Sequence, residues 1–259
     1  MVEAMLASLV AKARVRLDQA LVERGLAPSR SRAQSLILAG LVRLDGELAD
    51  KAGKAVTPGA RIEVVGHDHP WVSRGGVKLA AALDAFGVDP AGRRCLDVGA
   101  STGGFTDVML QRGAAQVVAL DVGRGQLDWK LRSDARVTVM EGVNARLLAP
   151  ADVPGPFDLV TVDVSFISLR LVLPALVPVL APDGDLVALV KPQFEAGRGQ
   201  VGRGGVVRDP EVREAAILAV LEAAAEFGLE CRGRTPSPIP GPAGNVEELA
   251  YFRHVQGAE

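Results

Sequence analysis

From residue 94 onward, apolar runs of strand length keep returning, with helical stretches between them. The runs are RRCLDV (93–98), QVVALDVG (116–123), RVTVMEG (136–142), FDLVTVDVS (157–165), GDLVALVKP (184–192) and ELAYFRHV (248–255). Several are apolar on both faces, the mark of strands covered on both sides. KLAAALDAFGV (78–88), FTDVMLQRGA (105–114) and PEVREAAILAVLEAAAEFGL (210–229) carry helical periodicity. The alternation restricts this region to an α/β fold, a Rossmann-like, doubly wound and mostly parallel sheet. A chain that is 48% hydrophobic and only 4% aromatic suits such a tightly packed core.

Residues 14–66 follow another pattern. RLDQALVERGL (16–26) has helical spacing, and Ser29 and Gly40 bracket a second short helix. LVRLDGE (41–47) alternates and turns at Asp45–Gly46, a hairpin signal, and ARIEVVG (60–66) supplies another strand. The expectation is a small α+β domain at 14–66, a linker at 67–74 and a large α/β domain at 75–255. Residues 1–66 carry ten Lys/Arg against seven Asp/Glu, while the remainder carries nineteen against twenty-four. The small domain is therefore the basic one, which fits an appended nucleic-acid module or an ordinary scatter of charge.

Several function classes are excluded. Cys95 and Cys231 are isolated, and the histidines are His67, His69 and His254, so no zinc spacing and no thiol nucleophile is expected. The N-terminus has an acid where a signal peptide wants positive charge. The longest apolar run, LVLPALVPVLAP (171–182), is too short and proline-rich to span a bilayer. A soluble cytoplasmic protein without membrane insertion and without metal is expected.

The stretch LDVGASTGGFTD (96–107) joins a strand to a helix through Gly99, Gly103 and Gly104. It lacks the Gly-Lys-Ser/Thr of a P-loop and the spacing of G-x-G-x-x-G. Asp97 precedes the first glycine, and Asp121 ends the next strand, placed to hold ribose hydroxyls in a dinucleotide or an S-adenosylmethionine site. The acid within the loop favours a cationic ligand, hence S-adenosylmethionine. The bland alternative is a glycine-rich turn.

Asp163 and Lys191 fall at the ends of adjacent predicted strands, on the same sheet edge as the glycine loop. Lys78 precedes the first helix of the large domain, and Glu247 precedes the last strand. Taken singly, each reads equally well as a solvated charge. The chain lacks the Asp/Asn-Pro-Pro-aromatic motif of exocyclic amine methylation and any well-placed thiol for ring-carbon methylation. Transfer to oxygen, with a lysine as base, remains.

At this point the chain resembles the TlyA (hemolysin-A-like) ribosomal RNA 2'-O-methyltransferases, whose catalytic domain is FtsJ-like. SRGGVKL, RRCLDVGASTGGFTDVMLQRGA, ALDVGRGQLDWKLRSD, VDVSFISL, LVKPQFEAGRGQVGRGGVVRDP and PIPGPAGNVE carry the likeness. The resemblance implies a class I methyltransferase fold and a catalytic tetrad of Lys78, Asp163, Lys191 and Glu247, with Lys191 as base and the others orienting and tuning it. It implies S-adenosylmethionine as cofactor. The expected contacts are Asp97, Gly99, Ala100, Ser101, Thr102, Gly103, Gly104, Phe105, Asp121 and Val122, with Asn144 on the adenine side.

Residues 16–66 are similar to the alpha-L RNA-binding motif of a ribosomal small-subunit protein. That likeness implies Arg16, Arg30 and Lys51 as RNA contacts, followed by Arg14, Arg32 and Arg74. The implied partner is ribosomal RNA within ribosomal subunits, with a cytidine ribose exposed by flipping its nucleotide. Two positions depart from the family: His69 stands where relatives carry an arginine in the linker, and Pro28 where some carry a basic residue. The segment EAGRGQVGRGGVVR (195–208) reads as a mobile basic lid. The short C-terminus points to large-subunit RNA alone. The competing readings are a membrane-lytic protein, an RNA-binding protein without methyltransferase activity, and a small-molecule O-methyltransferase.

Overall fold

The computed structural model describes residues 15–27, 29–65 and 69–255. Arg14 and Pro28 lie outside the described residues. The chain divides into two compact units, one ending at Arg74 and the other starting at Gly75.

The first unit runs β1 (Val15–Arg16), α1 (Leu17–Glu23), α2 (Arg30–Leu38), β2 (Val42–Leu44), β3 (Glu47–Leu48), β4 (Ala55–Val56) and β5 (Ile62–Val64). Ser29 caps α2 as its sequence suggests, its Oγ accepting from Arg32 N at 3.2 Å. Asp45 and Gly46 take positive φ values of 53° and 87°, the twist a tight β2–β3 hairpin demands. Leu17, Leu21, Ile37, Val42 and Val56 form its core. A β1–β4 ribbon, pairing Val15 with Val56, was not legible, because two-residue strands carry no period.

The second unit opens with α3 (Gly75–Phe86), β6 (Arg94–Val98), α4 (Gly104–Gln111), β7 (Gln116–Asp121), α5 (Trp129–Arg132) and β8 (Val137–Glu141). It continues through β9 (Phe157–Val162), α6 (Leu173–Leu176), β10 (Leu180–Val190), α7 (Pro192–Glu195), α8 (Pro210–Glu226), β11 (Leu229–Pro236) and β12 (Glu248–His254). The sheet has seven strands in the order β11-β12-β10-β9-β6-β7-β8. Strands β6 to β10 are parallel, and β12 runs antiparallel between β10 and β11. Strand β11 (LECRGRTP) was missed in the sequence because an edge strand with charges, a glycine and a proline has no apolar run.

Strand order reverses at β6, whose neighbours are β7 and β9. The carboxyl ends of β6 and β9 therefore flank a switch-point crevice, where α/β sheets bind ligands. Leu96, Val160, Leu186 and Phe252 are wholly buried beneath it. Midway along β10, Asp185 accepts from Arg93, Arg253 and Tyr251 at 2.5, 2.6 and 2.6 Å. Burial pushes its carboxyl up, yet these donors outweigh burial and hold it below the usual carboxylate value. No helix among the described residues is long and apolar enough to cross a membrane.

Candidate active site

The glycine loop leaves β6 at Val98. Gly99 has φ +84°, and a Cβ there would lie 2.5 Å from the backbone oxygen of Asp163. Asp163 N in turn donates to Val98 O at 2.9 Å. The first loop glycine thus serves a backbone approach between two loops of the site. Asp121, at the end of β7, accepts from Ser101 N at 2.8 Å and Gly123 N at 2.6 Å. An ionised carboxylate has about four acceptor sites, so ribose hydroxyls can still bind it. Val122 follows, 73% exposed, an apolar face beside the acid. The loop, the preset carboxylate and this face fit S-adenosylmethionine.

One expectation, Asp97, needs correction, while the places of Thr102, Phe105 and Asn144 leave theirs open. Asp97 is wholly buried beneath the loop. It accepts from Thr106 N at 2.9 Å, Thr106 Oγ1 at 2.6 Å and Thr161 Oγ1 at 3.3 Å. Burial pushes its carboxyl up to about 7 against those donors. Asp97 fastens the loop from below and presents no oxygen to a ligand. Thr102 and Phe105 are also buried, which leaves only their backbone for contact. Asn144 is exposed and caps a short 3-10 turn, accepting from Arg146 N at 3.1 Å.

The four charges expected from the family resemblance form two ion pairs. Lys191 Nζ lies 2.5 Å from Asp163 Oδ1, and Lys78 pairs with Glu247. The registers explain the placement. Val190 pairs with Glu248 across β10–β12, which puts Lys191 opposite Glu247 at the sheet edge. Ala188 pairs with Val162 across β10–β9, which brings the residues after each strand together. The Lys78–Glu247 pair is buried, and Glu247 Oε1 is a buried acceptor with no donor in the described structure. Such an atom is costly unless a ligand or water completes it.

The structure adds groups that sequence reasoning passed over. Lys191 Nζ also donates to Ser165 Oγ at 2.9 Å. Phe166 is 92% exposed with φ +65°, and its ring lies 5.3 Å from that of Phe194. A phenylalanine in left-handed backbone beside an acid–lysine pair is strain kept at a functional edge. Ser165 and Phe166 stand in VDVSFIS, two and three residues after Asp163, which was the available signal. The 195–208 segment is not a free lid. Asn245, buried, accepts from Val207 N at 3.0 Å and donates to Gly205 O at 2.8 Å.

In the first unit, Arg16 makes two 3.0 Å bonds to Asp18, joined by Arg30 at 3.1 Å and Gln34 at 2.9 Å. Asp18 is buried, and the Arg16 hydrogen bonds hold its carboxyl well below the usual range. Arg16 and Arg30 are thus half-exposed guanidinium groups on one fixed anchor. Lys51 and Arg32 are exposed, and Arg74 lies over Gly40.

Comparison with known proteins gives the family. Residues 71–254 match the FtsJ-like methyltransferase family and residues 15–62 the S4 domain. The 16S/23S rRNA (cytidine-2'-O)-methyltransferase TlyA of Mycobacterium tuberculosis is 56% identical over 93% of this chain and 90% of its own. The chain belongs to the TlyA family. Its S-adenosylmethionine dependence follows from that membership. Hemolysin A of Brachyspira hyodysenteriae is 41% identical over 92% of this chain and 99% of its own. A solved hemolysin-like chain from Streptococcus thermophilus, 44% identical, superposes with a TM-score of 0.74 over 94% of this chain and 90% of its own. Among TlyA-family features, the S4 domain accounts for the basic first unit.

Proposed function

We propose that this TlyA-family enzyme methylates the 2'-oxygen of a cytidine ribose in ribosomal RNA, with Lys191 as base. One observation carries the reading: Lys191 Nζ sits 2.5 Å from Asp163, in the loop that abuts Gly99 of the cofactor cradle. Bound S-adenosylmethionine supplies the methyl group. Lys191, in its neutral amine form, takes the hydroxyl proton as the sulfur–methyl bond breaks and the oxygen–methyl bond forms. Asp163 and Ser165 fix the direction of its Nζ and stabilise the ammonium that forms. Glu247, opposite Lys191 across the β10–β12 register, holds Lys78 in place. Asp121 and the loop amides hold the donor, so alignment supplies much of the acceleration. Arg16, Arg30 and Lys51 give the S4 unit its grip on folded RNA.

The M. tuberculosis relative is named for both 16S and 23S RNA, so the reading covers both subunits rather than the large one alone. Such a substrate supports a cytoplasmic setting. The test supplies pure protein with tritiated S-adenosylmethionine and, separately, unmodified 30S and 50S subunits. Label in a cytidine 2'-O-methyl group is expected, falling by about two orders of magnitude or more in Lys191→Ala. No label on either subunit, with cofactor binding intact by calorimetry, would sink the assignment.

A further inference from the structure

Glu195 lies four residues beyond Lys191, in α7. Its side chain is 1% exposed, a burial that a carboxylate tolerates only when fully engaged. Its Oε2 accepts from Ser168 Oγ at 2.5 Å and its Oε1 from Leu169 N at 2.7 Å. Arg170 closes the knot, with Nε 3.6 Å from Oε2 and Nη2 donating to Glu195 O at 3.3 Å. Ser168 Oγ also accepts from Arg170 N at 3.2 Å, which fixes the turn after it.

These partners all come from the segment that follows Asp163. Two chain segments leave the sheet side by side, one from β9 carrying Asp163, Ser165 and Phe166, the other from β10 carrying Lys191 and Phe194. The β9–β10 ladder joins them at the base. The Lys191 contacts to Asp163 and Ser165, and the Phe166–Phe194 ring contact, lie between. Glu195 joins them again at the far end. A loop pair tied at one end only can splay, and a misplacement of about 1 Å at a reacting group can cost roughly a hundredfold in rate.

We propose that Glu195 is a positioning residue, whose two hydrogen bonds to Ser168 and Leu169 lock the Asp163 and Lys191 segments at the spacing methyl transfer needs. The proposal rests on Lys191 as base. Glutamine at 195 keeps an acceptor for Leu169 N but loses the one for Ser168 Oγ, whose own lone pairs already accept from Arg170 N and Nε at 3.2 Å. Alanine keeps neither.

The experiment measures kcat and KM on unmodified ribosomal subunits, per cofactor-binding site counted by calorimetry, for Glu195→Ala, Glu195→Gln, Ser168→Ala and Lys191→Ala. Glu195→Ala is expected to lower kcat about tenfold or more, with KM for S-adenosylmethionine within about twofold of wild type. Glu195→Gln should recover kcat to within about threefold, and Ser168→Ala should lose about threefold. Wild-type kcat in Glu195→Ala overturns the proposal. So does a Gln variant as impaired as the Ala variant, or a kcat loss matched by an equal loss of cofactor affinity. Should Glu195→Ala fail to fold, Ser168→Ala decides: lowered kcat with unchanged cofactor binding supports the bracket, and wild-type kcat removes it. An active Lys191→Ala fells the base reading and the proposal with it. An inactive Lys191→Ala beside a fully active Glu195→Ala fells the proposal alone.

Discussion

Removing the ammonium of Lys78 leaves the Glu247 carboxylate buried and unpaired. Breaking such a pair costs about 3–5 kcal/mol, so Lys78→Met should lower the unfolding free energy by roughly that amount in urea. Lys191 is different, because its partner Asp163 is partly exposed. Its loss should cost activity far more than stability. Phe166 makes a third case. An aromatic ring this exposed covers little core, so Phe166→Ala should leave the melting temperature nearly unchanged. Stacking of an unpaired base on that ring would be worth about 1–3 kcal/mol, so the expected fall in kcat/KM on subunits is roughly tenfold or more, and an unchanged kcat/KM would remove this role. At this scale the sequence was uneven. Lys191 and Asp163 were legible as charges at apolar strand ends. Lys78 and Glu247 were not separable from solvated charges without the resemblance, because 169 residues separate the two partners. Ser165 and Glu195 stayed hidden because their meaning lies in partners across two loops.

The β6-loop-α4 element stands or falls with Asp97. Its carboxyl titrates near 7 in the folded chain because burial disfavours the charge, against an ordinary value of 3.8 unfolded. The folded state then binds more protons than the unfolded state between those limits. Stability contributed by this group must fall as pH rises from about 4 to about 7, and level off above. Asp97→Asn removes the titration, so its stability should lack that slope across the same window, read by denaturant melts at successive pH values. An unchanged slope would show that Asp97 ionises without cost. The glycine loop itself was readable from LDVGASTGGFTD. The burial of its acid was not, since a residue at a strand end can turn up or down, and only Thr106 and Thr161 reveal which.

For the molecule as a whole, the two units carry separate cores and separate tasks. A fragment of residues 75–259 should bind S-adenosylmethionine with an affinity close to that of the full chain by calorimetry. Its kcat/KM on ribosomal subunits should fall by about two orders of magnitude, with a shallower salt dependence, because the phosphate contacts of the S4 unit are gone. Retained transfer to subunits would show that the second unit recognises RNA unaided. The division was legible in the change from short mixed patterning to long apolar runs. The antiparallel insertion of β12 was not, because strand order is a property of pairing across the chain.

Gly99 shows what that pairing achieves. Where its side chain would stand, the carbonyl of Asp163 rests. In the proposed reaction, the floor under the methyl donor and the wall behind the proton acceptor would be two stretches of backbone in direct contact. Neither can drift without carrying the other. Any side chain at 99 would press on that carbonyl and widen the gap the proposed transfer must cross.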